Sequence, residues 1–193
     1  VAEGYEGAVV SDTVESTQAG IETLRRGGTA ADAAVAVAAT LGVTDPYVAG
    51  LGGGGYFVYY DAKTKTISTI DGRETAPAAD TSTMFVDPTT GKPYEFETAV
   101  ESGRSVGVPG MPATWQRALQ RWGKFSLADN LRPAEQVAEH GFVVNSAFAA
   151  QTQANATKLA HFGPSAQLFL PGGRAPQVGS VLRNPDLAAT YRQ

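Results

Sequence analysis

Apolar and polar positions follow two different periods along this chain. From Thr13 to Arg26, Val14, Ile21 and Leu24 recur at helical spacing and Gly27-Gly28 follow, which predicts a helix with a glycine end. A second helix is predicted from Ala30 to Leu41. It is almost wholly Ala and Val, and a helix apolar on all sides suits burial between layers. Tyr56 to Tyr60 reads as a strand, Asp61 to Lys65 as a hairpin loop and Thr66 to Ile70 as the returning strand. Val9-Val10 reads as a short buried strand ahead of the first helix, and Thr89 to Pro93 as a turn.

The second half is predicted to be mostly helical. Pro112 suits a first helical position, with Trp115, Leu119 and Trp122 at helical spacing before Gly123. Ser126 with Asp129 resembles a capping box, and helices are expected from Pro133 to His140 and from Ser146 to Ala160. Pro171-Gly172-Gly173 opens a loop. Asn184-Pro185 starts a last helix of barely two turns, too short to be stable without a packing partner, so Gln193 reads as a fragment boundary. With no repeat or linker evident, residues 1–193 are read as one piece of one domain.

Charge and composition remove several functions. The net charge is −4 and no run of Lys and Arg occurs, which gives nucleic acid or an anionic membrane little to bind. No segment approaches the roughly 18 apolar residues of a membrane span. No leader-like pattern stands at Val1, so any signal segment is expected to have been removed. The chain has no Cys, which excludes thiolate catalysis, disulfides and Cys-based metal sites. Its two histidines, His140 and His161, are too few for a His-rich site. Each lies at a predicted helix end, where the dipole alone favours a cation. No metal or cofactor is expected.

Two segments remain as candidates for chemistry. The glycine run Gly52 to Gly55 is followed by Tyr56-Phe57-Val58 and a strand, whereas phosphate-binding and dinucleotide-binding glycine loops lead into a helix. Close backbone approach is the remaining physical reading. Arg73 follows a strand between Gly72 and Glu74; its guanidinium suits a two-pronged grip on a carboxylate, or a local ion pair with Asp71 or Glu74. Trp115 and Trp122 read as core, and Asn155-Ala156-Thr157 fits the short glycosylation pattern.

The order of four blocks adds a resemblance. Arg26-Gly27-Gly28-Thr29-Ala30-Ala31-Asp32-Ala33-Ala34-Val35 comes first, then Gly50-Leu51-Gly52-Gly53-Gly54-Gly55-Tyr56-Phe57. Asp71-Gly72-Arg73-Glu74-Thr75-Ala76-Pro77 and Val108-Pro109-Gly110 follow, with Gly141-Phe142-Val143-Val144-Asn145 later. The series resembles the N-terminal part of the large subunit of γ-glutamyltransferases. That resemblance implies an α+β chain forming part of a four-layer αββα sandwich, the fold of N-terminal-nucleophile hydrolases. It implies a precursor that cleaves itself, a small subunit whose new N-terminal Thr attacks γ-glutamyl amides, and an acyl group passed to water or to an amino acid or peptide. It assigns Arg73 to the α-carboxylate of the glutamyl group and the glycine run to a framework loop. No catalytic residue is implied within this chain, because Thr13, Thr29 and Thr40 have no free α-amino group. Asp45 stands where many relatives carry His, a difference expected to matter little. The resemblance also implies a secreted or periplasmic bacterial enzyme. A sibling acylase or poly-γ-glutamate depolymerase on the same scaffold, or an inactive binding module, are the competing readings.

Overall fold

The computed structural model describes residues 6–193. Helix α1, Val14–Arg25, starts on Thr13, whose side chain accepts the Ser16 N–H. It ends where Gly27 turns left-handed at φ 86° and the Gly28 N–H reaches back 3.0 Å to the Thr23 carbonyl. Helix α2, Ala30–Thr44, runs three residues beyond its expected end and is followed by a single turn, α3, Pro46–Ala49. Val9-Val10 forms no strand: Val10 is exposed, and the Val9 side chain lies against Gly20 on α1. A two-residue apolar run is too short to distinguish a strand from a segment packed on a helix.

Strands β1, Gly55–Asp61, and β2, Thr66–Gly72, form an antiparallel hairpin in which Phe57 faces Ile70 and Tyr59 faces Ser68. Its turn is closed by Asp61, which accepts the Lys63 N–H at 2.8 Å, and by Lys65 in the left-handed region at φ 56°. A short helix α4, Phe96–Val100, and a 3₁₀ turn, Gly103–Ser105, precede α5, Met111–Trp122. Pro112 sits one residue later than expected, at the second helical position.

Helix α6 covers Leu127–His140 and so begins six residues before Pro133, the start expected from the sequence. Ser126 caps it by accepting the Asp129 N–H at 3.1 Å, and the helix carries Pro133 internally. The expected helix from Ser146 to Ala160 is two helices, α7, Ser146–Ala154, and α8, Ala156–Ala160. They part at Asn155, whose side-chain amide donates to the Gln151 carbonyl and so competes with the helical ladder. Helix α9, Gly163–Phe169, leads to the Pro171–Gly173 turn, and β3, Phe142–Val143, pairs with β4, Val181–Leu182.

The last helix, α10, Pro185–Arg192, has the packing partner its length demands. It lies on α6, buries Tyr191 and donates the Tyr191 hydroxyl to the Ala39 carbonyl of α2 at 2.8 Å. The core gathers Val35, Val43, Trp115, Phe142, Phe148 and Tyr191 from α2, α5, β3, α7 and α10.

One charge lies inside this helical layer. Asp32, fully buried, caps α2 through the Thr29 N–H and also accepts from the Lys124 and Phe125 N–H groups and the Asn130 amide. Burial pushes its pKa up, but the hydrogen bonds from Thr29, Lys124 and Phe125 outweigh it and hold the carboxyl below its usual range. The carboxylate thereby bolts the start of α2 to the α5–α6 loop.

Candidate functional site

The hairpin carries Arg73 to the end of β2, immediately after Gly72. On the inner face, Trp122 of α5 stacks on Tyr59, with ring centroids 4.5 Å apart and 8° between planes, and on Phe57 at 5.8 Å. Trp115 is buried in the core. Both tryptophans therefore pack, as their spacing predicts.

Beyond β2 the backbone is held by glycines at close quarters. A side chain on Gly110 would collide with the Gly72 carbonyl, and one on Gly54 would meet the Glu74 N–H nitrogen at 2.8 Å. The Gly53 carbonyl accepts the N–H groups of Gly110 and Met111, both at 3.2 Å. Thr75 and Val108 then exchange backbone hydrogen bonds as an isolated antiparallel bridge. The glycine run and the Val108-Pro109-Gly110 block thus meet across the Arg73–Thr75 backbone, which explains why both must lack bulk there.

The Arg73 backbone N–H donates to Asp71 Oδ1 at 3.0 Å, so Asp71 fixes the main chain and not the guanidinium. The guanidinium contacts Glu74 Oε2 through one nitrogen at 3.2 Å, and its side chain remains 58% exposed. Such a single-pronged, half-exposed pair contributes about 0–1 kcal/mol, leaving the fork open to a ligand carboxylate. Arg73 lines a cleft of about 590 Å³ together with Gly52, Thr75, Pro77, Phe85 and Arg104. Arg104 has no signature in the sequence, since nothing in Ser102-Gly103-Arg104-Ser105 forms a motif.

Other candidates lie elsewhere. His161 Nδ1 is 2.7 Å from Glu101, and His140 ends α6, with its carbonyl accepting from Arg183. Neither lines the Arg73 cleft. The Asn155 side-chain amide donates to the Gln151 carbonyl at the α7–α8 break. Thr13 and Thr29 cap helices, and Thr40 is buried, bonded to the Ala36 carbonyl. Asp45, the departure from the resemblance, has its pKa raised by burial and by the charge of Asp12. Among the described residues no group of three or more acidic or His side chains is placed to hold a metal, and no helix is long and apolar enough to cross a membrane.

Comparison with known proteins agrees with this layout. The family model described as Gamma-glutamyltranspeptidase matches residues 16–193. A glutathione hydrolase proenzyme of Bacillus subtilis (strain 168) is 38% identical over 189 residues, covering 98% of this chain and 32% of the relative. The chain thus spans about a third of that curated relative's length. The crystal structure of Helicobacter pylori γ-glutamyltranspeptidase superposes with a TM-score of 0.92 at 28% identity, covering 99% of this chain and 54% of that one. The Pseudomonas nitroreducens γ-glutamyltranspeptidase, solved with L-DON, gives 0.84 at 32% identity, covering 96% of this chain and 53% of that one. These likenesses show the α+β fold of the N-terminal-nucleophile hydrolases, to which this chain contributes a helical layer and a strand hairpin. The chain belongs to the γ-glutamyltranspeptidase family.

Proposed function

We propose that this chain is the donor-gripping and scaffolding part of an enzyme that transfers or hydrolyses the γ-glutamyl group of glutathione and related amides. Arg73 forms two parallel hydrogen bonds to the α-carboxylate of the glutamyl group and so sets where its γ-carbonyl lies. An N-terminal Thr on a small subunit from the same precursor attacks that carbonyl. Its α-amino group takes the hydroxyl proton and returns it to the departing amine, leaving a γ-glutamyl ester. Water then yields glutamate, or the amine of an amino acid or peptide yields a new γ-glutamyl amide, and the Thr hydroxyl is restored. No side chain of this chain takes part in those bond changes, so residues 1–193 alone are inactive.

The supporting observation is the placement of Arg73: fixed in backbone by Asp71 and the surrounding glycines, held in side chain by one contact to Glu74 alone, and opening on a cleft. The outward face of the hairpin supports a partner. Tyr56, Val58, Tyr60 and Ile67 stand uncovered on one side of the β1–β2 sheet, an apolar surface for further sheet to bury. We place the mature enzyme outside the cytoplasm of a bacterium, secreted or periplasmic. Fractionation of the host, with activity found only in the cytosol, would count against that placement. The chemical test is turnover of a γ-glutamyl anilide against a glutaryl anilide by the matured full-length protein. Preference for the γ-glutamyl compound supports the proposal; preference for glutaryl points to an acylase, and no turnover of either to a binding module.

A further inference from the structure

The cleft that holds Arg73 has a second arginine in its wall. Arg104 sits on the 3₁₀ turn Gly103–Ser105, and both guanidinium-bearing residues line the same cleft of about 590 Å³. The turn runs beside the Arg73–Thr75 segment because Val108 bridges to Thr75 and Gly107 lies against the Glu74 side chain. Among the described residues the arginines in ion pairs are Arg25, Arg73 and Arg192, so Arg104 is not neutralised by a carboxylate. Its guanidinium lies over the Tyr94 ring, 5.0 Å from the centroid. A ring face steadies a guanidinium and leaves its in-plane N–H donors unused.

The remaining charges in the cleft are Glu74, already engaged by Arg73, and Asp80. Asp80 opposes an anion in this space, so the open donor fork of Arg104 is what a second anionic group of a ligand would meet. A carboxylate matches that fork in shape as well as charge. With Arg73 assigned to the glutamyl α-carboxylate, the second carboxylate belongs on the other side of the scissile amide.

The geometry points to Arg104 as a specificity-determining residue that binds the free carboxylate of the amino acid or short peptide joined to the γ-glutamyl group. The inference rests on the proposed function, and it names the substrate class: γ-glutamyl amino acids and peptides with a free C-terminal carboxylate, over γ-glutamyl amines and anilides. Asp80 acts as a counterweight that keeps this second grip weak enough for product to leave.

The experiment uses the matured full-length enzyme and two matched donor pairs, γ-glutamylglycine with γ-glutamylglycinamide and glutathione with its C-terminal amide. Within each pair only the second carboxylate differs. In at least one pair the wild type has a lower KM for the acid. Arg104→Gln removes that advantage, raising the acid's KM roughly five- to tenfold while the amide's KM stays put, the scale of one net hydrogen bond made in an exposed place. Arg104→Glu raises it further. Asp80→Asn shifts the acid's KM the other way. Equal KM values for acid and amide in the wild type, in both pairs, overturn the inference. An Arg104→Gln effect of equal size on acid and amide also overturns it, because the residue is then structural. If the wild type turns over none of the four compounds, the proposed function itself fails and this inference goes with it.

Discussion

The Thr114 hydroxyl occupies the place where a side chain on Gly72 would have to start. That hydroxyl is itself fixed, donating to the Gly110 carbonyl at 2.9 Å, and Gly110 in turn leaves no room for a side chain against the Gly72 carbonyl. The three residues lock the first turn of α5 against the last residue of β2, one position before Arg73. Gly72→Ala is therefore expected to destabilise the enzyme by about 1–3 kcal/mol, the range for overpacking a filled site, and to weaken donor binding by displacing Arg73. Adding Thr114→Ala removes the hydroxyl and should recover part of the loss. Chemical denaturation of the two single variants and the double variant checks this; strict additivity would show that the two positions do not compete for space.

Asp32 gives a prediction in pH. Its carboxyl is held below the usual carboxylate value in the folded state, so its contribution to stability is fully present above its unfolded pKa of about 3.9. The contribution is lost as pH falls through the lower folded value. Asp32→Asn presents an amide to N–H donors and is expected to cost about 1–3 kcal/mol near neutrality. The stability gap between wild type and Asp32→Asn should stay constant from pH 7 to about 5 and narrow below about 4. Urea melts across that range measure it, and a gap that widens on acidification would refute the sign.

These two locks show where the sequence was legible and where it was not. The hairpin could be read because Tyr56 to Tyr60 and Thr66 to Ile70 are local patterns around one turn. The cap on α6 could be read as well, since Ser126 and Asp129 are three apart, yet the helix start was displaced to Pro133. Pro usually marks a beginning, and only the structure shows this one tolerated inside a helix. The glycine run was recognised as a close approach, but its partners, Gly110 and Glu74, lie tens of residues away and no period announces them. Nothing local shows what Asp32 holds: three of its donors, Lys124, Phe125 and Asn130, come from the far side of the chain. Arg73 is legible from its place after a strand and from the Asp71–Pro77 block, whereas Arg104 has no such signal and joins it only through the cleft they share.

Burial raises the pKa of the Tyr191 phenol well above its ordinary value. Its contribution is intact below the unfolded pKa of about 10 and is lost as pH rises toward the folded value. Tyr191→Phe should remove the bond to the Ala39 carbonyl, costing about 1 kcal/mol at neutral pH, and should make alkaline unfolding less steep. Spectrophotometric titration would see one tyrosine fewer ionising late in the variant. An unchanged late phase would mean that the Tyr191 phenol does not ionise late.

The uncovered hairpin face predicts the behaviour of the isolated chain. With Tyr56, Val58, Tyr60 and Ile67 open to water, a recombinant 1–193 chain should self-associate and bind a hydrophobic dye. Val58→Thr with Ile67→Thr keeps β-branched residues in the strands and should reduce both effects. A monomer with a cooperative thermal transition and no dye binding would contradict the need for a covering partner.

In the proposed function Arg73 holds the α-carboxylate of the donor. The direct measurement is steady-state kinetics of Arg73→Lys in the matured enzyme with a γ-glutamyl anilide, alongside a gel that resolves the two subunits. Lysine keeps the charge and loses the two-pronged grip. Loss of such a contact costs about 2–5 kcal/mol, whereas breaking an exposed pair with Glu74 costs about 0–1. Normal self-cleavage is expected, with KM raised roughly thirtyfold or more and kcat much less affected, because the carboxylate is held alike in ground and transition states. KM and kcat near wild type would show that Arg73 serves only its pair with Glu74, and failure to mature would make its role structural; either result contradicts the claim.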